Sequence, residues 1–206
     1  MKIAFNPTSA TSIAPGQYRA RLSKVIDLGT QASTFDGKST WQRTIQATWE
    51  LHGTGVTRGG NPPTASEFYN ASMHPKAKLR QHLEASQGRE FTYDEVNNFD
   101  LCEWINRSCL LTIVAKGKFP KIVKLAPLPN EHAPVPDVAK PVIFNLNDPD
   151  IDVYQTLDNG LRAMISASPE WKLVKDTLCP LADESDYSDT LQSKLEKAMA
   201  AMNARA

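Results

Sequence analysis

Between residues 17 and 126 the apolar positions change their spacing twice, which restricts the fold more than any other feature of the chain. Residues 17–28 alternate, with Tyr18, Ala20, Leu22 and Ile26 on one side and Arg19, Arg21, Ser23 and Asp27 on the other. Residues 40–51 alternate again, setting Ile45, Ala47, Trp49 and Leu51 against Gln46, Thr48 and Glu50. Residues 64–73, with Phe68 and Tyr69 in the middle, read as a third strand. Period two over such lengths predicts half-buried strands. Residues 75–86 then switch period. Ala77, Leu79 and Leu83 suit a helix, with Pro75 near its first turn and Gly88 as its stop. Residues 91–105 predict a second, short helix opened by Thr92-Tyr93-Asp94-Glu95, which has the capping-box form. Residues 110–115 and 121–126 return to runs rich in Leu, Ile and Val, which suit strands. They flank Lys116-Gly117-Lys118-Phe119, where Gly117 permits a turn.

Three strands, a helical insert and two strands is the order of an OB-fold, a five-stranded Greek-key barrel with a helix between strands 3 and 4. The expected class is mainly β with helical additions. The barrel occupies residues 15–126, after a loose polar arm at 1–14. Residues 29–39 read as a polar loop, and residues 53–63, with four glycines and two prolines, as an irregular hairpin tip. Five prolines, at 127, 129, 134, 136 and 141, predict an extended linker. Residues 142–158 are acidic with isolated apolar side chains, so the linker is drawn over 127–160 and a C-terminal helical region over 161–206. In that region residues 161–178 predict a helix broken at Pro169. Residues 187–206 predict another, with Leu191, Leu195, Met199 and Met202 in one stripe that packs on this chain or on a second copy.

Charge separates along the chain. Residues 1–126 carry 16 Lys and Arg against 10 Asp and Glu, whereas residues 127–206 carry 7 against 13. A basic front and an acidic back fit a nucleic-acid binder with an acidic tail, or chance segregation. No apolar run is long enough to span a membrane, and the N-terminus lacks a secretory apolar core. Cys102, Cys109 and Cys179 form no metal-type spacing, and a reducing, cytoplasmic compartment fits them. No phosphate-binding loop, dinucleotide fingerprint or zinc-protease motif occurs, and His52, His74, His82 and His132 are scattered. Asp148, Asp150 and Asp152 alternate like ion ligands but lack the glycine and terminal glutamate of a calcium loop. The expectation is a non-enzymatic chain without cofactor or metal.

Single-strand binders combine cations with aromatic platforms. On an OB-fold the usual surface is strands 2 and 3 with the loops joining strands 1–2 and 4–5. That places Phe35, Lys38, Trp41 and Arg43 at the first loop, Phe68 and Tyr69 on the third strand, and Lys116, Lys118, Phe119 and Lys121 at the last hairpin. Arg19 and Arg21 extend the basic face or solvate an outer one. Trp41 shares the parity of Trp49 and is a platform or a cap on the core. Of Phe68 and Tyr69, one faces inward. Lys76, Lys78 and Arg80 read as a solvated helix face, and the lysines of the last hairpin are nucleic-acid contacts or guards against edge pairing.

Several stretches resemble a widespread family of bacteriophage early proteins. They are P-G-Q-Y-R-A-R at 15–21, V-I-D-L-G-T-Q at 25–31, W-E-L at 49–51, F-Y-N-A-S-M-H at 68–74, K-L-R-Q-H-L-E at 78–84 and G-R-E-F-T at 88–92. F-D-L at 99–101, the hairpin over 110–125, N-L-N-D-P-D-I-D and S-P-E-W at 168–171 continue the resemblance, which covers roughly 15–175. It implies a phage OB-fold protein that binds single-stranded DNA in replication or recombination, inside the infected host. The acidic segment of the C-terminal region is expected to fold back in competition with the DNA or to contact phage or host replication proteins, although the chain does not end in the acidic, aromatic-tipped tail that many single-strand binders use. The alternative is a protein-interaction module, an inhibitor of a host enzyme or an assembly factor.

Overall fold

The computed structural model describes residues 13–35, 37–54, 60–116, 119–130, 135–137 and 140–178. The strands are β1 (Gly16–Phe35), β2 (Lys38–His52), β3 (Thr64–Asn70), β4 (Ser108–Lys116), β5 (Phe119–Pro127) and β6 (Val142–Phe144). Helices α1 (Lys78–Gln87) and α2 (Tyr93–Asn97) and a 3-10 turn (Leu101–Trp104) lie between β3 and β4; α3 (Ile151–Thr156), α4 (Asn159–Ala167) and α5 (Pro169–Leu178) follow β6. The chain is thus mixed, mostly strands, with the helical insert where the change of period predicts it. The capping box forms as read: Thr92 and Glu95 bond reciprocally to each other's backbone amides.

The strands form one sheet in the order β3-β2-β1-β4-β5, antiparallel throughout, while β6 joins β1 in parallel. The expected closed barrel is not found. Strands β3 and β5 are the two ends of the path, and among the described residues no ladder joins them. Helix α1 contacts both and buries Leu79 and Leu83. Those side chains share a core with Trp49, Tyr69, Leu111, Ile113 and Leu125. Apolar burial by the helix thus takes the place of the last hydrogen-bonded seam.

The polar loop expected at residues 29–39 is mostly strand. β1 continues to Phe35, which pairs with Lys38 across the turn. Two bulges, between Leu22 and Lys24 and between Asp27 and Thr30, reset the alternation and bend the strand. Gly29 sits in the second with φ +70, a conformation that favours glycine. Beyond it, residues 30–35 and 38–43 form a two-stranded arm.

The linker expected over 127–160 also yields to a different structure. Val135 is buried, and β6 lies along Lys24, Val25 and Ile26 of β1. Ile26, Leu28, Phe144, Leu146, Leu157, Leu161, Ile165 and Trp171 form a second core on the far side of β1. Tyr154 stacks on Trp171 at 4.3 Å. The apolar residues of this segment look isolated in sequence because they are spread over short elements, β6 and α3, and the turns that join them. Two of its aspartates are helix caps: Asp150 accepts from the Asp152 and Val153 amides, and Asp158 accepts from Leu161. The break at Pro169 is as expected, since α4 ends at Ala167 and α5 starts at Pro169. The arm at 1–14, apart from its last two residues, and the helix expected over 187–206 lie outside the described residues.

The first core contains one titratable contact with a measurable consequence. The Tyr69 hydroxyl meets His82 Nδ1 at 2.9 Å, beside a cavity of about 20 Å³. Burial first, and Lys78 second, push the His82 pKa down to about 4. The folded protein therefore binds fewer protons than the unfolded chain between the ordinary histidine value near 6.5 and about 4. Stability is full above that window and falls as pH drops through it. Urea midpoints measured from pH 7 to 4.5 should decline, and His82→Gln should remove most of the decline above pH 5. A wild-type midpoint that is flat over this range contradicts the assignment.

Candidate nucleic-acid interface

The twelve candidate residues do not form one cluster. Along β1, Gly16 faces Ile113 of β4, whereas Phe35 faces Lys38 of β2. The tips of the β1–β2 arm and the β4–β5 hairpin therefore project from opposite ends of β1. Phe35 and Lys38 close the arm, and Lys116 and Phe119 are opposite partners at the end of the other hairpin. Lys118 lies outside the described residues. Lys121 is half-buried opposite Val114. Arg19 is half-buried between His52 and Leu110. Arg21 is held by the Asp137 carboxylate and the Val135 carbonyl, so it is a strap on the proline-rich segment and not an open cation.

Among the described side chains of the set, Trp41 and Phe68 are the exposed aromatics. Trp41 stands opposite Ala32 on the arm and is 66% exposed; its parity matches the core, but the arm has run past it. Phe68, opposite Gln46 on the outer face of β3, is 48% exposed. Tyr69 points the other way and is 3% exposed. Its ring meets Trp49 and His82 edge-on, and burial raises its phenol pKa above the ordinary value. Tyr69 as a base-stacking residue is therefore corrected: it is a core residue.

Three of the candidates, Arg43, Phe68 and the buried Tyr69, line a groove of about 560 Å³ at the end of β3. Its floor is pinned where the Ala71 amide donates to the Arg43 carbonyl at 2.8 Å. The turn that follows is tied by Ser72 Oγ accepting from the His74 amide and His74 Nδ1 accepting from the Lys76 amide, both at 3.2 Å. This brings His74, Lys76 and Lys78 to the same groove, with Gln42 and Asn70 as amides. The cations differ in availability. Lys78 pairs with Glu67 at 2.8 Å and lies over the Tyr69 ring. Arg43 Nε and Nη2 are taken side-on by Asp27, a hydrogen bond that raises the arginine pKa further. Among the described residues Lys76 forms no ion pair.

The helix-face reading of Lys76 is thus incomplete, since it precedes α1 and lines the groove. His74 went unassigned. The available signal was the turn chemistry of Ser72-Met73-His74-Pro75, which stops β3 short and folds the chain back over its end.

The chain matches no known family model, no curated protein and no solved structure.

What remains is the chemistry of the groove. An exposed ring, the two amides of Gln42 and Asn70, and a lysine without an ion pair among the described residues suit a planar, hydrogen-bonding, anionic ligand. No group of three or more metal-ligating side chains occurs among the described residues. No helix there is long and apolar enough to cross a membrane.

Proposed function

We propose that the chain binds single-stranded DNA without sequence preference, on the outer face of β2 and β3 of an OB-like sheet, in phage replication or recombination. The carrying observation is that Phe68, half exposed, walls the same groove as His74 and Lys76. Base stacking and phosphate pairing on one strip are what an unpaired strand needs and a duplex cannot use. A second polar groove of about 310 Å³ starts at Gln46, the cross-strand partner of Phe68, with Lys24, Thr48, Ser66 and Asp158 in its lining. The two together allow a strand to continue past the stacked base. The sheet path supports the OB-like reading, because β1, β2 and β3 form a meander, and β4 returns to β1 after the helical insert. The resemblance to phage early proteins supports the biological setting.

The test is oligo-dT against duplex DNA in a salt series with the full chain. Oligo-dT should bind with a clear negative salt slope and duplex should bind more weakly. Lys76→Gln should flatten the slope by roughly 0.7, the contribution of one phosphate contact on a single strand. No binding at low salt with micromolar protein sinks the proposal and leaves the exposed aromatics to a protein partner. Degradation of the oligonucleotide on adding magnesium would contradict the non-enzymatic reading.

A further inference from the structure

Arg43 has the position of a phosphate contact but not the electrostatics of one. Asp27 Oδ1 accepts from Arg43 Nε at 3.2 Å, and Oδ2 accepts from Nη2. The carboxylate is buried, while the guanidinium is partly open to the groove. Asp27 is itself fixed. Its Oδ1 also accepts from the Gly29 amide in the β1 bulge at 3.0 Å, and its Oδ2 from the Leu146 amide after β6 at 3.3 Å. Asn147 takes a further bond from Arg43 Nη2 at 3.0 Å. A carboxylate held by two backbone amides and an arginine cannot swing away when an anion arrives. The pair meets that anion with no net charge.

We propose that Asp27 is a built-in competitor for phosphate at Arg43, and that the segment after β6 sets the competition by holding Asp27 through Leu146. The groove then has two unlike ends. The Lys76 end takes phosphate, and the Arg43 end is electrically quiet and leaves room for an uncharged part of the ligand. Charge on Arg43 becomes available only when Asp27 is neutralised or when the segment around Leu146 lifts from β1. By linkage, anions that capture Arg43 must loosen that segment by the same factor. The polymer aspect rests on the single-strand reading; the competition at Arg43 does not.

The experiment follows the Arg43 Nε–H and Lys76 amide NMR signals of the full chain during titration with inorganic pyrophosphate. In the wild type the Lys76 signal should move and the Arg43 signal should not. In Asp27→Asn the Arg43 signal should move as well, and the pyrophosphate midpoint read at the Lys76 signal should fall about fivefold from its wild-type value, as expected for freeing a partly exposed ion pair. Wild-type Arg43 moving in step with Lys76 overturns the inference, as does a folded Asp27→Asn protein whose Arg43 stays silent. The wild-type arm needs no variant, so it decides even where Asp27→Asn does not fold. A parallel oligo-dT salt series should steepen by roughly 0.7 in Asp27→Asn. Wild-type protein that takes pyrophosphate at Lys76 but no oligo-dT sinks the single-strand reading alone.

Discussion

Trp41→Ala combined with Phe68→Ala should weaken oligo-dT binding by about 30-fold or more, with little change in the thermal midpoint. Removing a base-stacking ring costs about 1–3 kcal/mol, so two rings set a lower bound of about 2 kcal/mol. The fold should tolerate the loss, because the rings are 66% and 48% exposed and belong to neither core. The single variants separate the two positions. Phe68→Ala should weaken binding in proportion to its place in the groove, whatever the length of the oligonucleotide. Trp41 lies on the arm, two residues from Arg43, so Trp41→Ala should matter more for longer oligonucleotides that reach it. Unchanged affinity in a folded double variant would remove the aromatic basis of the proposed function.

Gly29→Ala should destabilise the protein by about 2–5 kcal/mol, a large part of an ordinary folding free energy. Two effects add. A side chain at φ +70 costs about 1–2 kcal/mol. A Cβ there would also stand 2.6 Å from Ser168 Cβ and Oγ and 2.8 Å from Glu170 Oε2, and overpacking costs about 1–3 kcal/mol more. Ser168 cannot yield easily, because it is fully buried and caps α5 by accepting from the Trp171 amide. Glu170 bonds both the amide and the hydroxyl of Thr30, at 2.9 and 2.5 Å, so its displacement would free the base of the arm. Urea denaturation followed by tryptophan fluorescence should show a lowered midpoint, with the change around Trp171 leading. A midpoint equal to the wild type would mean that α4 and α5 do not bear on the bulge as described.

What could be read in the sequence was whatever depended on neighbours along the chain. The alternation around Ile45 to Leu51, the capping box at Thr92 and the break at Pro169 are local patterns, and each stands where it was expected. What escaped depended on distant partners. Phe144, Leu146 and Leu157 have no periodicity of their own, because they fill a core whose other wall is Ile26 and Leu28. The alternation set Ile26 beside Ala20 and Leu22, but the bulge between Leu22 and Lys24 turns it instead to the second core, where β6 and the helices cover it. The site divided in the same way. Residue types were legible at Phe68 and Arg43, whereas their availability was not: Asp27, Asp137 and Glu67 decide which cations remain open, and no spacing rule links them to their partners.

The sharing of β1 between two cores has a consequence for how the chain is made. The first core is complete in sequence once Pro127 has been synthesised, but the cover for Ile26 and Leu28 runs to Trp171. At roughly 5–20 residues per second, those 44 residues take about 2–9 s. During that interval a finished antiparallel sheet carries an uncovered apolar strip on a strand of unusual length. A released chain truncated near residue 130 should therefore be a chaperone client, and one that extends through α5 should not.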